Sequence, residues 1–396
     1  MQLLSKISLI PLTLLCACQT VNAPSGPAQT ADPGDAPDRL DRHVPELLQE
    51  HNAAGAGVAL IRDGAIVWTG YYGEQGPGQA ASRATVFNYA SVAKTVAAET
   101  LIALAAKGLI SLDEPIHRFV GHPDLENDPR FELLTVRILL SHRGGLLNWP
   151  AEYEDGRAAF IDDPGQSFSY SGMGIELAAQ YAENKIGKDF EALAFEHLLT
   201  PLGISDISLG RIKPWMQGRL ATPMDSSGAY FDIADSSGRL ASQPTEGDWS
   251  GADDLLATVE AYAEFMTALF ANGWLDDTWR RERETILSDL DGNAIWNCEP
   301  AVVLRCAEEY GHSLGWMVYR FGHKTVLKHG GNDAGENALV IYSPETRSGA
   351  VIAVNGGNGI FVSTQILDLL GEEPEIAAYY RHLVGKFYGI ELRSLR

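Results

Sequence analysis

Two serines in this chain stand where a hydroxyl could be made nucleophilic. The first lies in Ser91-Val92-Ala93-Lys94. Residues three apart on a helix share a face, so this hydroxyl and this amine can meet. A serine attacks a carbonyl well only when something removes its proton. A lysine kept as an amine by burial or by a neighbouring cation can do so. Ser91 also opens its helix, where free N–H groups and the dipole favour developing negative charge. Without chemistry, Ser91 is a helix cap and Lys94 a surface residue. The second serine lies in Gly311-His312-Ser313-Leu314-Gly315, the Gly-x-Ser-x-Gly pattern of a nucleophile elbow. An elbow needs a strand before the serine and a helix after it. Cys306-Ala-Glu-Glu-Tyr310 reads as too polar for a buried strand, and Trp316-Met-Val-Tyr-Arg-Phe321 reads as a strand. The context is inverted, so Ser91 is the stronger candidate.

Elements must hold these residues. Asp41–Asn52 reads as an opening helix. Gly57–Arg62 and Ala65–Tyr71 are β-rich runs joined by Asp63-Gly64, a hairpin signal. Ser91–Lys107 is rich in Ala and Leu with Gly108 behind it, a helix with its cap. Helices are also expected at Val136–His142, Gly174–Ile186, Phe190–Leu199 and Asp254–Ala271, with polar loops such as Asp225–Asp248 between them. Strands follow at Leu314–Phe321, Thr325–His329, Ala338–Tyr342 and Gly349–Val354. Helices at Val362–Leu370 and Ile376–Phe387 close the chain. Strands joined by tight turns favour an antiparallel sheet over a doubly wound one. The expected class is α+β, an α/β sandwich. Its antiparallel sheet is built from both chain ends (about 41–110 and 310–390) and flanked by helices. A mostly helical insertion spans about 111–309.

The 396 residues, 45% hydrophobic and 21% charged, have a globular composition. With 52 acidic and 30 basic residues the net charge is −22, which disfavours a nucleic-acid partner. No apolar run inside the body is long enough to span a bilayer. Lys6 and the short apolar run Ile7–Leu15 mark residues 1–17 as an export signal. It ends in Leu15-Cys16-Ala17-Cys18, which resembles a bacterial lipobox with Cys18 as the lipidated residue. The alternative is an ordinary signal cut near Ala17 or Ala23. Gln19 after the Cys favours an outer-membrane anchor facing the periplasm. Residues 18–40 read as a flexible tether rich in Pro, Ala and Gly. Export would make Cys298 and Cys306 a candidate disulfide. No metal or nucleotide signature appears, and no cofactor is expected.

Ser91-x-x-Lys94 is followed by Tyr170-Ser171-Gly172 after 79 residues and later by His329-Gly330-Gly331. This ordered set resembles the serine β-lactamase and penicillin-binding-protein superfamily. The likeness is closer to class C β-lactamases, family VIII carboxylesterases, D-aminopeptidases and S12-type peptidases. Leu139–Leu146, Pro201-Leu-Gly203 and Tyr310–Trp316 agree with it. The resemblance implies a β-lactamase/transpeptidase-like fold and an acyl-enzyme on Ser91. Lys94 would take or tune the serine proton. Tyr170 would act as general base, directly or through Lys94. The backbone N–H groups of Ser91 and Asn332 would form the oxyanion hole. His329 stands where β-lactamases carry a cationic Lys, and Gly330 and Gly331 would let substrate lie against the strand. Gly172 stands where they carry Asn. Both departures lower the expectation of β-lactam hydrolysis, with Arg143 as a loop candidate for the missing cation.

The expected function is an envelope serine hydrolase of small esters or amides. A cell-wall DD-peptidase, D-aminopeptidase or weak β-lactamase acting on peptidoglycan-type substrates is the alternative. A hydrolase working through Ser313 and a non-catalytic binder are further ones. The only expected membrane contact is the N-terminal lipid anchor.

Overall fold

The computed structural model describes residues 34–231, 249–271, 273–293, 296–298 and 305–395. The signal segment 1–17, the Cys18 lipidation site and most of the tether lie outside the described residues. In chain order the first elements are helix α1 (Ala36–Glu50) and strands β1 (Gly55–Arg62), β2 (Ala65–Gly76), β3 (Gln79–Ala80) and β4 (Phe87–Asn88). Helices α2 (Ala93–Ala106), α3 (Val136–Leu140), α4 (Gly172–Ile186) and α5 (Phe190–Ala194) follow. Strands β5 (Ile207–Leu209) and β6 (Leu255–Ala257) precede helices α6 (Val259–Leu269) and α7 (Asp277–Glu284). Then come β7 (Ser288–Asp289), β8 (Glu309–His312), β9 (Met317–Phe321), β10 (Lys324–Asn332), β11 (Glu336–Ser343) and β12 (Ser348–Asn355). Helices α8 (Gly359–Leu370) and α9 (Pro374–Tyr388) end the described chain.

Nine strands form one antiparallel sheet in the order β3-β2-β1-β12-β11-β10-β9-β8-β7. The two chain ends meet inside it, with Gly55 facing Asn355 and Ile61 facing Gly349. Side chains alternate across a strand, and this alternation sorts the core. Ala59, Leu327, Val340 and Val351 face α2, α4 and α6. Val58, Val326, Ile341 and Ile352 face α1, α8 and α9. Helix α2 is buried all round, from Ala93 to Ala105. Its small side chains let it sit between the sheet and the insertion, as a helix apolar on every side must.

Several boundaries differ from the sequence reading. Helix α1 starts at Ala36, so the stretch read as tether already carries its first turn. Leu255–Ala257, read as helix, is the central strand of a small sheet ordered β4-β6-β5. A three-residue apolar run carries no periodicity that separates the two states. The segment leading to Ser313 is a strand after all, because Glu309 points outward while Tyr310 and His312 are buried. Strand β9 begins at Met317, later than expected, because 313–316 form the turn out of β8. Phe195–Leu199 continues α5 as a π-helical turn.

Candidate active site

Ser91 lies in a 3₁₀ turn, Ala90–Val92, that leads straight into α2. Ala90 has φ +46°, a left-handed conformation costly for a residue with a Cβ. Asn88 holds it there: its Oδ1 accepts the Ala90 N–H at 2.8 Å, and its Nδ2 donates to Asp254 Oδ1 at 2.9 Å. Burial, with Asp253 next in weight, raises the Asp254 carboxyl well above its ordinary range. Strand β10 closes on this turn. A Cβ on Gly331 would stand 2.0 Å from Tyr89 O and 3.0 Å from Ser91 N, so only glycine permits the approach.

Lys94, fully buried, lies one turn on with its Nζ 2.8 Å from Ser91 Oγ. It also donates to Ala252 O at 2.5 Å. Glu176 of α4 fixes that loop by accepting the N–H groups of Gly251 and Ala252 and the Ser250 hydroxyl. Burial raises the Glu176 carboxyl, against these hydrogen bonds. Tyr170 meets Lys94 through its ring face, with Nζ 4.9 Å from the ring centroid. In its amine form Lys94 can accept the Ser91 proton directly, since the two groups already share a hydrogen bond.

Three buried histidines surround Tyr170. His142 accepts the Ser171 N–H on Nδ1 at 3.1 Å, and its ring lies 4.4 Å from Tyr170 and 4.9 Å from His312. His329 Nδ1 lies 2.9 Å from Gly330 O. Burial above all holds His142 well below its usual pKa. Burial does the same for His329, so it is neutral at pH 7 and supplies no cation. Burial, with Lys328 behind it, takes His312 down to about 3.

A Cβ on Gly172 would lie 2.6 Å from the Trp149 ring, so a side chain there would require that ring to move. Asn148, from the loop before it, accepts the Gly172 N–H on Oδ1 at 2.7 Å and brings a carboxamide to the cavity. Sequence reasoning missed Asn148, Ala252 and Glu176, which no motif marks. Arg143 does not line the cavity; its Nε donates to Ser141 Oγ at 3.2 Å. Ser313 is fully buried, and its hydroxyl donates to Trp316 O at 3.2 Å. The strand β9 after it excludes the elbow. Cys298 and Cys306 are joined by a disulfide.

Ser91, Tyr170, His329, Gly330, Gly331 and Asn332 all line one cavity of about 360 Å³. The sequence-derived residues are thereby brought together, except that Lys94 stands behind Ser91. The far side of the cavity is apolar, formed mainly by α9 through Tyr380, Leu383, Val384 and Phe387.

The profile of the Beta-lactamase family matches residues 40–370. The chain is 26% identical over 206 residues to "Esterase EstB" of Burkholderia gladioli, covering 44% of this chain and 52% of that protein. It is 25% identical over 224 residues to "D-alanyl-D-alanine-carboxypeptidase/endopeptidase AmpH" of Escherichia coli (strain K12), covering 51% and 57%. The chain spans from 37% to 57% of the length of such curated relatives. The solved octameric penicillin-binding protein homologue from Pyrococcus abyssi superposes with a TM-score of 0.68 at 20% identity, over 88% of this chain and 81% of that one. That likeness shows the fold. Because the family profile runs across both terminal contributions to the sheet and the segment between them, the chain belongs to the Beta-lactamase family.

Proposed function

We propose that this chain is a serine hydrolase that forms an acyl-enzyme on Ser91 with small esters or amides. The observation that carries the reading is the 2.8 Å contact between Ser91 Oγ and the buried Lys94 Nζ, open to a cavity on the Ser91 side. Ser91 Oγ attacks the carbonyl carbon as its proton passes to Lys94 in the amine form. The N–H groups of Ser91 and Asn332 stabilise the oxyanion. Collapse of the tetrahedral intermediate breaks the ester or amide bond, and the proton leaves on the alcohol or amine, with Tyr170 over Lys94 guiding the transfer. Water then hydrolyses the acyl-serine.

The esterase EstB and the carboxypeptidase/endopeptidase AmpH, both relatives, support an ester and a peptide reading respectively. The neutral His329 favours esters over β-lactams, since a β-lactam carboxylate needs a cation there. The lipobox-like Cys18 supports an envelope location on a lipid anchor. The test is labelling by a fluorophosphonate probe, then a panel of nitrophenyl esters, nitrocefin and D-amino-acid amides. Wild type should label and Ser91→Ala should not. Equal labelling of both would refute the assignment.

A further inference from the structure

The chain carries a net charge of −22, yet among the described residues no Asp or Glu lines the cavity beside Ser91. Lys328 is its lining lysine, beside the neutral His312 and His329, with Lys94 behind Ser91. A negative ligand there meets a lysine and no opposing carboxylate.

Lys328 is the group able to hold it. Alternation along β10 turns His329 toward α2 with Leu327, and Lys328 toward α9 with Val326. Lys328 is only 4% exposed, and its Nζ lies 4.1 Å from the Tyr380 ring centroid. It also lies 3.8 Å from where a Gly330 Cβ would stand, so the missing side chain leaves the strand face beside the ammonium open. Among the described residues no carboxylate pairs with it, and burial alone lowers its pKa to about 7. Around it, α9 supplies the apolar wall of Tyr380, Leu383, Val384 and Phe387. That helix lies beyond the residues matched by the family profile.

We propose that the cavity binds a substrate made of an apolar body and a carboxylate, the body against α9 and the carboxylate on the Lys328 ammonium. Turnover of such a substrate rests on Ser91 being the nucleophile; its binding does not.

The test therefore measures binding to the Ser91→Ala protein by calorimetry, with phenylbutyrate and the neutral phenylbutanamide as probes. At about pH 6 the carboxylate should bind at least about tenfold more tightly than the amide, as a charge-assisted contact allows. Lys328→Met in the same protein should bring the two within about twofold, while Lys328→Arg keeps the preference. Amide affinity reports the fold of each variant. Should Lys328→Met fail to fold, pH decides. His312 and His329 are held low and Tyr380 is held high, all by burial. Lys328 is thus the facing group that loses its proton between about pH 6 and 9, and the preference should fall across that window. Equal affinities at low pH, a preference that survives Lys328→Met, or a preference flat in pH would overturn the proposal. An inert wild-type enzyme that keeps the preference would count against Ser91 and leave Lys328 standing.

Discussion

Gly331→Ala puts a methyl group where β10 presses on the Ser91 turn. The new Cβ would lie 2.0 Å from Tyr89 O, against an ordinary contact of 3.4 Å or more, so strand and turn must part by about 1.4 Å. Both opposing atoms nearest to it, Tyr89 O and Ser91 N, belong to the backbone and have no rotamer to escape into. The turn cannot yield freely, because Asn88 and Asp254 clamp the left-handed Ala90. The strand therefore moves, and with it the Asn332 N–H that the reading assigns to the oxyanion hole. A misplacement of about 1 Å costs roughly 100-fold in rate, or about 2.7 kcal/mol in the barrier. We expect kcat/KM for nitrophenyl butyrate to fall by about two decades, mostly in kcat. Thermal melting should show a separate loss of about 1–3 kcal/mol from overpacking. A folded Gly331→Ala enzyme within about threefold of wild type would refute the claim that this contact sets the oxyanion geometry.

Four further outcomes are expected. Ser91→Ala abolishes ester hydrolysis while Ser313→Ala retains most of it, since Ser313 is buried in a strand turn; a dead but folded Ser313→Ala beside an active Ser91→Ala reverses the assignment. Nitrophenyl acetate or butyrate is turned over one to two decades faster than nitrocefin, because a lost charge-assisted contact costs about 1.5–3 kcal/mol; equal or faster nitrocefin turnover refutes this. Wild type partitions into membranes and takes up a fatty-acid label, and Cys18→Ser does neither; equal label on both proteins excludes the anchor. His142, His312 and His329 have pKa values depressed by burial, so their contribution is present above the unfolded pKa near 6.5 and is lost on acidification. For His312, held at about 3, this amounts to about 2 kcal/mol at pH 5, and a melting temperature unchanged from pH 7 to 5 would show that these rings are not held neutral.

The order of elements revealed the sheet built from both chain ends, and the remaining legible features were local. The Asp63-Gly64 hairpin formed as expected, with Arg62 facing Ala65. Ser91 and Lys94 meet because three residues bring a helix back to the same face. Other features depend on contacts far apart in the chain. Ala252 reaches Lys94 across 158 positions, and no residue type marks a carbonyl as special. Asn148 meets Gly172 across 24 positions, beside the Trp149 ring. Lys328 falls within the expected strand Thr325–His329, and the α9 wall beside it comes from residues about fifty positions later. Leu255–Ala257 misled for a different reason: Asp254 and Val259–Leu269 flank it with helical composition, and the pairing with β4 and β5 decides its state.

The pairing of Gly55 with Asn355 also governs when this protein can begin to work. At about 5–20 residues per second, a ribosome takes roughly 15–60 s to make the chain between these two residues. Throughout that time the β1–β2 hairpin lacks its central neighbour, and an isolated hairpin is marginal at best. Ser91 and Lys94 are made early, but Ala252 and β10 arrive much later. A nascent or clipped chain ending before Lys324 thus holds the reactive pair without the strand that Gly331 brings against it. Under the proposed function, hydrolytic competence is therefore gained late, and a half-made copy stays chemically silent.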